Sequence, residues 1–424
     1  MSREVWRIDK LVPGGAGMAR RADGSVGFAS GALPGEQIEV VRLTRKKGYA
    51  KADEYQLLEP SAERVEPACP LARACGGCDW LHLDYEAQLR HKAALLTEAL
   101  GRTGGFRSLA PVIVTPSPRH SAYRSRIRLQ IDEQGRFGFF AAQSHRLIEL
   151  TSCAAATPEL DSALGRFSDC AGRFPRLLGA FEQAELRVVP TSSPSGWGLR
   201  LTPRGPAEAA SARAEPLLAE LRKHFEVAIA GYGAGFVQRW PLGEALWLEV
   251  PSDAFVQVNW DVNRLLVASL VDGAKRRGAR RFLDLYAGAG NFTLALAAAG
   301  LTGVSVEGHP SAAFAARRSV ESYGFANVEV KSEDVKTALP RLDSGAAGFD
   351  LCVLDPPRAG AAEILTALVE LAPRAIAYVS CDPVTLARDL RTLVERGYAL
   401  DLVQAFDMFP GTHHFEALAW LSRG

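Results

Sequence analysis

Continuous apolar runs alternate with helically spaced apolar residues from about residue 255 onward. Strands buried on both faces read as nearly continuous apolar runs, whereas helices place apolar residues three and four positions apart. This alternation predicts an α/β fold in which helices flank a doubly wound parallel sheet. The predicted strands are 282–286, 303–307, 328–331, 349–354 and 375–380.

The chain before this sheet shows other patterns. Residues 1–60 combine short apolar stretches with glycine-rich turns, which predicts a small β-barrel. An amphipathic helix at 84–101, ending at Gly101, follows, and short strands between 122 and 250 surround an Ala-rich helical stretch at 207–223. We therefore predict three domains, 1–60, a central α+β domain at 61–250 and 251–424, with about 85–115 as a segment that could pack on the last domain.

Composition limits the kinds of partner. The chain has 424 residues and a formal net charge of +1, so any surface for nucleic acid must be a local patch. Arg45, Lys46 and Lys47 form a basic cluster, although charge alone favours a solvated hairpin over an RNA-binding face. No apolar run reaches the roughly 18 residues of a membrane span, and the charged N-terminus does not resemble a signal peptide. We expect a cytoplasmic monomer without a membrane partner.

A glycine-rich loop follows the first strand of the predicted sheet. Gly288 and Gly290 allow close approach of a ligand to the backbone where a helix begins. Thr293 stands where a dinucleotide-binding loop has its third glycine, which argues against NAD. Glu307, at the end of the second strand, could accept hydrogen bonds from ribose hydroxyls, and Asp334 could accept one from adenine. The loop therefore predicts an adenosyl ligand without a pyrophosphate, S-adenosylmethionine.

The fourth and fifth predicted strands end in chemically distinctive residues. Asp355 begins a stiff Asp-Pro-Pro-Arg turn, and Arg358 argues mildly against methylation of an exocyclic amine. Cys381 directly follows the fifth strand, and Pro383 suits the first turn of a helix. Because a helix N-terminus lowers the pKa of a thiol, Cys381 is a candidate nucleophile beside the ligand.

A candidate proton acceptor lies near the C-terminus. Glu416 enters a predicted apolar strand at 417–421, where a carboxylate is costly unless it has a task or a partner. His413 and His414 are alternative bases, but paired histidines in a loop are more often structural. A base is required if a thiolate adds to carbon 6 of a pyrimidine, because the proton on carbon 5 must leave after alkylation.

In this set of motifs the chain resembles the bacterial RNA uracil-5-methyltransferases, and specifically the iron–sulfur branch that modifies 23S ribosomal RNA. The resemblance covers nearly the whole chain and several motifs occur in the same order. It is strongest over residues 257–259, 284–293, 355–360, 380–389 and 407–416.

The resemblance implies a Rossmann-like class I methyltransferase domain and a role for each matched residue. It makes Cys381 the nucleophile that adds to carbon 6 of uracil, and Glu416 the base. It implies donor binding by Gln257, Tyr286, Glu307 and Asp355, with Asn291 and Asp334 as further candidates. Arg128 and Phe255 fall where relatives contact the uracil, and residues 1–60 resemble the RNA-binding TRAM domain. Tyr286, commonly Phe in relatives, and Asp334, where Asn also occurs, are mild departures.

The remaining distinctive feature is a cysteine group. Four thiolates are enough for a structural zinc or a [4Fe–4S] cluster. Zinc ribbons usually pair two CxxC halves, so an unpaired fourth cysteine favours iron–sulfur, and the matching set in relatives holds a [4Fe–4S] cluster. The four cysteines are Cys69, Cys75, Cys78 and Cys153.

Three alternatives to a 23S rRNA methyltransferase stay open. A transfer-RNA uracil-5-methyltransferase would share the catalytic residues, although that branch typically lacks the cluster cysteines. An RNA cytosine-5-methyltransferase would be expected to carry a second cysteine near Asp355. A non-catalytic RNA-binding iron–sulfur protein is disfavoured by the intact set of Glu307, Asp355, Cys381 and Glu416.

Overall fold

The computed structural model describes residues 4–107, 110–190, 196–342 and 348–423, which form four sheets. None of the helices in this part of the chain is both long enough and apolar enough to cross a bilayer.

The N-terminal sheet is curled, because its two edge strands follow each other directly in the sequence. Its order is β1-β5-β6-β4-β3-β2. The edge strands β1 and β2 are consecutive, and the Ile8 N–H donates to Glu36 O at 2.9 Å while the Asp9 N–H donates to Met18 O at 2.8 Å. The strands are β1 (Glu4–Arg7), β2 (Lys10–Leu11), β3 (Gly17–Arg20), β4 (Val26–Ala29), β5 (Gln37–Lys46) and β6 (Tyr49–Glu59).

The central region contains a six-stranded sheet in the order β10-β9-β8-β11-β12-β13. Its apolar face, with Ile127, Leu129 and Leu186, packs on a helix through Leu164 and Phe167. The elements are α1 (Tyr85–Arg102), β7 (Ile113–Thr115), β8 (Arg126–Ile131), β9 (Phe137–Phe140), β10 (Leu147–Glu149), α2 (Pro158–Arg173), α3 (Pro175–Leu178), β11 (Phe181–Val188), β12 (Trp197–Pro203), α4 (Ala207–Arg213), α5 (Glu215–Leu221) and β13 (Glu226–Ile229).

The two helical predictions in this region are refined by the structure. The helical stretch predicted at 207–223 is confirmed as two consecutive helices, α4 and α5, which are separated at Ala214; Pro216, in the first turn of α5, cannot donate a backbone hydrogen bond to the preceding turn. Helix α1 runs one residue past Gly101, which does not end it, and its N-terminus is capped by Asp84, whose carboxylate accepts the Ala87 N–H at 3.2 Å.

The C-terminal region forms an eight-stranded sheet in the order β18-β17-β16-β19-β20-β22-β21-β7. The first five strands in this order are parallel, which confirms the predicted sheet, and β22 is antiparallel to both of its neighbours. The elements are β14 (Val237–Pro241), β15 (Trp247–Pro251), α6 (Trp260–Arg276), β16 (Arg281–Leu285), α7 (Asn291–Ala298), β17 (Thr302–Glu307), α8 (Pro310–Ser322), β18 (Val328–Ser332), α9 (Val335–Ala338), a 3₁₀ helix (Leu339–Arg341), β19 (Leu351–Leu354), α10 (Leu365–Leu371), β20 (Ala375–Ser380), α11 (Pro383–Glu395), β21 (Tyr398–Phe406) and β22 (Glu416–Arg423).

Two elements from the central stretch of sequence belong to this C-terminal body. Strand β7 pairs in parallel with the edge strand β21, with Val114 opposite Ala405. Helix α1 buries Leu96 and Leu100 in the same apolar cluster as Leu386 and Leu390 of α11. The catalytic sheet is thus completed by residues that come before the central sheet in the chain.

Candidate active site

The carboxyl ends of the parallel strands bring the predicted site residues to one edge of the sheet. The glycine-rich loop follows β16, Glu307 ends β17, Asp355 follows β19 and Cys381 follows β20. Strand β22 begins at Glu416 and runs back beside β20, with Ala417 opposite Ser380. Because the two strands are antiparallel neighbours, Glu416 and Cys381 lie at the same end of their pair.

The glycine-rich loop is held by the carboxylate that was predicted to bind ribose. Glu307 accepts the Gly288 N–H at 2.8 Å and the His309 N–H at 2.6 Å. Gly288 has a φ of 56° and no atom within 4 Å of where a Cβ would stand, so its open side can admit a ligand. Below the loop, Thr293 donates to Asp284 at 2.6 Å, and burial raises the pKa of Asp284 to about 7.

The other residues predicted to bind the methyl donor differ in their burial and in the hydrogen bonds that their side chains already make. Asn291 exchanges two amide hydrogen bonds with Asn263 of α6, at 2.9 and 3.0 Å, a pairing that no local pattern indicated. Asp334 is exposed and caps α9 by accepting the Lys336 N–H at 3.0 Å. Gln257 is buried and Tyr286 is half-buried at the turn after β16, with a φ of 63°.

Cys381 lines a pocket of about 90 Å³ together with Arg358, His414, Pro13 and Gly14. Pro13 and Gly14 lie in the turn between β2 and β3, so the N-terminal region forms part of the wall around the thiol. Burial raises the pKa of the Cys381 thiol to about 11, the negative charge of Glu416 adds to this rise, and a hydrogen bond from Arg358 opposes it.

The predicted thiolate stabilisation by the α11 N-terminus is wrong. Asp382 is the N-cap of α11, and its carboxylate accepts the free N–H groups of Val384 and Thr385 at 3.0 and 2.9 Å. Those donors are therefore not available to Cys381, and burial decides its resting protonation.

Glu416 is buried at the first position of β22. Burial raises its pKa well above the usual value, the charge of Asp355 raises it further, and Arg358 partly opposes both effects. Burial also raises the pKa of Asp355 itself, to about 7. Cys381, Glu416 and Asp355 thus interact electrostatically with one another, which disfavours the ionisation of all three at once.

The two rival histidines have other surroundings. The His413 Nδ1 lies 2.6 Å from Asp79, which also accepts the His413 backbone N–H at 3.1 Å. His414 is half-buried, and burial, followed by the nearby charge of His413, lowers its pKa to about 4. The geometry thus favours Glu416 as the base, because His413 is engaged and His414 is a weak proton acceptor.

A buried polar network anchors the loop between β21 and β22. Lys92 of α1 is fully buried, forms an ion pair with Asp407 and donates to Phe409 O at 3.1 Å. Gln88 accepts the Gly411 N–H at 2.8 Å, and the Trp80 N–H donates to Gly411 O at 2.9 Å. Sequence reasoning missed this network, because its partners are more than 300 positions apart.

Four cysteines line one cavity of about 80 Å³, which is otherwise mostly apolar. The cysteines Cys69, Cys75, Cys78 and Cys153 are those predicted from the sequence. The Gly77 N–H donates to Cys75 Sγ at 3.3 Å, and the guanidinium of the half-buried Arg124 donates to Gly77 O at 3.2 Å. Asp161 fixes the fourth cysteine by accepting the Cys153 N–H at 2.7 Å.

A separate candidate metal site consists of Cys170, Glu220 and His224. Among the described residues, this is the group of potential metal ligands whose ligand atoms all lie within 4.8 Å of one another. Its carboxylate is already paired, because Glu220 lies 3.1 Å from Arg173 and 2.5 Å from Lys223. The two cations weaken the case for a metal there.

The residues predicted to contact RNA lie in two places. Arg128 of β8 donates to Glu185 at 2.8 Å, and Phe255 is 63% exposed beneath the guanidinium of Arg126. In the N-terminal sheet, Lys46 and Lys47 are exposed, whereas Arg45 lies 3.3 Å from Glu4 and 3.9 Å from Asp23. Part of the charge of that basic cluster is therefore neutralised.

Comparison with known proteins identifies relatives over the whole chain. The family described as tRNA (uracil-5-)-methyltransferase matches residues 242–424. A protein named 23S rRNA (uracil(1939)-C(5))-methyltransferase RlmD from Edwardsiella ictaluri (strain 93-146) is 36% identical, covering 96% of this chain and 92% of the relative. Its namesake from Chromohalobacter salexigens is 34% identical, covering 98% of this chain and 88% of the relative.

A solved structure gives the fold. The tRNA (uracil-54, C5)-methyltransferase of Pyrococcus abyssi, determined in complex with S-adenosyl-L-homocysteine, superposes with a TM-score of 0.74. It covers 99% of this chain and 100% of its own, at 24% identity. The superposition shows a class I methyltransferase fold. The family follows from the two bacterial relatives, whose sequences match this chain over nearly its full length. This chain belongs to the RNA uracil-5-methyltransferase family.

Proposed function

We propose that this protein methylates carbon 5 of a uridine in 23S rRNA, with S-adenosylmethionine as the methyl donor. The observation that carries the proposal is the pairing of Cys381 with Glu416 at one end of β20 and β22, in electrostatic contact beside the ligand edge of the sheet. Covalent activation of a pyrimidine needs this combination of a thiol and a base. The names of the bacterial relatives support ribosomal RNA as the substrate.

The glycine-rich loop and the neighbouring strand ends would hold the donor. Gly288 provides open space at the backbone, and Gly290, the N-cap of α7, has a φ of 96°. Glu307 has acceptor capacity left for ribose hydroxyls beyond its two backbone hydrogen bonds, since a carboxylate has about four lone-pair sites. Gln257, Tyr286, Asn291, Asp334 and Asp355 complete the proposed set. The donor supplies an electrophilic methyl group.

Cys381 would attack carbon 6 of the uracil, so that electron density accumulates at carbon 5. The thiol must first lose its proton, which burial opposes and Arg358 favours through its hydrogen bond and positive charge. Arg358 is thus placed to stabilise the thiolate when the pyrimidine covers the pocket and excludes water.

Glu416 would remove the proton from carbon 5 after methylation, which allows the bond between Cys381 and carbon 6 to break. Its raised pKa suits a proton acceptor that must hold the proton firmly. The charge of the thiolate is one cause of the repulsion within this pair. Formation of the sulfur–carbon bond would move that charge from the sulfur onto the pyrimidine enolate, and methylation of carbon 5 would then neutralise it. One source of repulsion on a Glu416 carboxylate would thus be gone before it takes the proton from carbon 5.

RNA binding would use both sets of predicted contact residues. The exposed Phe255 lies two positions before Gln257 of the donor site, and its ring lies under Arg126, which is two positions from Arg128 on β8. The curled N-terminal sheet would act as the TRAM-like RNA-binding barrel, with Arg45, Lys46 and Lys47 toward phosphates. The uridine must leave its stack to reach Cys381, which favours loop or single-stranded RNA.

The cysteine cavity would hold a [4Fe–4S] cluster. A single zinc ion holds its sulfurs at about 2.3 Å, which brings them within about 4 Å of one another. The four cysteines are not among the residues whose ligand atoms all lie within 4.8 Å, yet all four face one cavity, so the larger cluster fits their spacing better. The nearby guanidinium of Arg124 suits a cluster with net negative charge. The cluster would support structure rather than electron transfer, because methyl transfer moves no net electrons.

Nucleoside analysis of RNA from a deletion strain tests the proposal. We expect one 5-methyluridine to disappear from 23S rRNA, and purified enzyme with donor to restore it in the unmodified RNA. Loss of the mark from transfer RNA instead would support the alternative substrate that the family description names. Appearance of 5-methylcytidine, or no methylation of either RNA, would contradict the proposal.

A further inference from the structure

The polar face of the central sheet carries a line of arginines. Glu185 on β11 stands opposite Arg128 on β8 and Arg200 on β12, and Arg187 stands opposite Arg126. Directly opposite residues in antiparallel strands share a face of the sheet. Arg126, Arg128 and Arg187 all lie within 3.4 Å of the Glu185 carboxylate. The register also places Glu149 and Glu226 on this face, at the two edges of the sheet. The four arginines therefore outnumber the acids on these strands, which leaves the middle of the face positively charged.

These arginines differ in whether their guanidinium groups are buried in structural contacts or accessible to a ligand. Arg187 is buried and donates to Pro251 O at 3.0 Å and to Ala254 O at 2.7 Å, which fixes the segment leading to Phe255. Arg128 is 53% exposed although it contacts Glu185. Arg200 lines a cavity at the other side of Glu185. The face thus presents cations on both sides of Glu185.

The cavity beside Arg200 has a volume of about 470 Å³, within the range of about 300–1,000 Å³ typical of ligand sites. It lies between the loop after β13 and the first turns of α8, and its walls include Tyr232 and Phe314. Across the described chain, four Phe, Tyr or Trp side chains are exposed, and Tyr232 at 43%, Phe314 at 58% and Phe255 are three of them. Exposed aromatic rings next to arginines are typical of surfaces that stack nucleic-acid bases.

Two acids in the cavity indicate which part of a nucleotide would enter. Glu249 lies 3.6 Å from Arg318, and Asp253 accepts a hydrogen bond from Ser311 at 2.7 Å. Carboxylates repel phosphate but accept hydrogen bonds from the exocyclic amines of bases. A base inside the cavity, with its phosphate outside near Arg200, matches this arrangement of charge.

We propose that this cavity receives a base of the RNA strand next to the target uridine. The strand would run from the pocket of Cys381 past Phe255, with its phosphates along Arg128 and Arg200. Ser311 and Phe314 belong to α8, which follows Glu307 of the donor site, so the cavity adjoins the same edge of the sheet. This inference rests on the proposed function and extends it to a second nucleotide.

Binding of a fluorescein-labelled single-stranded RNA, cut from the 23S segment that the wild-type enzyme methylates, tests the proposal by anisotropy. We expect Tyr232→Ala to raise Kd by about 5- to 150-fold, because a stacked base is lost, and Tyr232→Phe to stay near wild type. Arg200→Gln should reduce the slope of log K against log salt by about 0.7, the value for one phosphate of a single strand. Arg166→Gln, on α2 behind the apolar face, is the matched control and should change neither quantity.

An abasic scan of the same RNA locates the base. At one position beside the target uridine, removal of the base should weaken binding to wild type but not weaken binding to Tyr232→Ala any further. Equal affinity of wild type and Tyr232→Ala for the intact RNA, with no such position, would overturn the proposal. If the wild-type enzyme still forms 5-methyluridine when the binding test fails, only the proposal for the cavity is refuted. If the wild-type enzyme forms no 5-methyluridine, the proposed function itself is refuted.

Discussion

Two regions of this molecule hold cysteines, and they are built in different ways. Cys381 stands at the end of a fully buried strand, and the register of β20 and β22 sets its position relative to Glu416. Cys69, Cys75 and Cys78 instead come from a loop without strands or helices, and Cys153 from a turn before α2. The first site depends on the sheet, and the second depends on contacts between loops.

The difference shows which site can act and which can support. Cys381 is one thiol beside the carboxyl group of Glu416, the proposed base, and the guanidinium of Arg358, an arrangement suited to bond formation. The cysteine loop continues into Asp79 and Trp80, which contact His413 and Gly411 of the segment before Glu416. The cysteine cavity is therefore in position to stabilise the loop that leads to Glu416, the proposed base.

The largest effect is expected from Cys381→Ala. Without the thiol no bond to carbon 6 can form, so 5-methyluridine formation should fall by more than about 1,000-fold. RNA that contains 5-fluorouridine should give a covalent adduct on denaturing gels with wild type and none with the variant. Cys170→Ala, which removes a buried thiol of α2, should retain the adduct; an adduct with Cys381→Ala would contradict the assignment.

The next largest effect is expected from Glu416→Gln. The amide cannot accept the proton from carbon 5, so turnover should fall by about 100- to 10,000-fold while attack by Cys381 continues. A methylated covalent adduct should accumulate on ordinary RNA, detectable by mass spectrometry. Glu395→Gln, at the exposed end of α11, serves as the control. If the Glu416→Gln variant released methylated RNA at the normal rate, another residue would have to be the base.

A smaller effect on chemistry is expected from Cys78→Ser. The variant should lose iron, and amide hydrogen exchange over residues 407–416 should accelerate because Asp79 and Trp80 no longer hold that loop firmly. Adduct formation by Cys381 should stay within about tenfold of wild type, since β20 is held by the sheet. Cys170→Ser should leave iron and exchange unchanged. Complete loss of the adduct in a folded Cys78→Ser protein would show that the cysteine cavity is needed for bond formation by Cys381, and not only for support of the loop.

The smallest effect is expected from Arg358→Gln. The rate of adduct formation in wild type should rise with pH toward the Cys381 pKa of about 11, because the thiolate is the nucleophile. Arg358 lowers that pKa, so its loss should move the profile to higher pH and slow the reaction near pH 8 by up to about tenfold, equal to one pKa unit. Arg391→Gln on α11 is the control. An unshifted profile would show that Arg358 does not act on the thiol.

The sequence predicted the catalytic sheet well, because its strands are buried on both faces. The strand predicted at 375–380 coincides with β20, and the strand at 303–307 differs from β17 by one residue. Uninterrupted apolar runs are a strong local signal. The order of the strand ends then placed Glu307, Asp355 and Cys381 together without knowledge of their distances.

Features that depend on distant partners could not be predicted in this way. Strand β7 has three residues and gains its place only by pairing with β21. Lys92 reads as one more polar residue of an amphipathic helix, although it is fully buried against Asp407. The protonation of Cys381 also depends on the burial created by the assembled pocket, so the helix start alone suggested the wrong direction.

The pairing of β7 with β21, and of Lys92 with Asp407, makes the methyltransferase unit discontinuous in sequence. A fragment that begins at about residue 251 would leave one buried carboxylate without its cation and one strand edge bare. Such an edge can pair with that of another molecule. A functional transplant of this unit would therefore have to carry residues 85–115 with it.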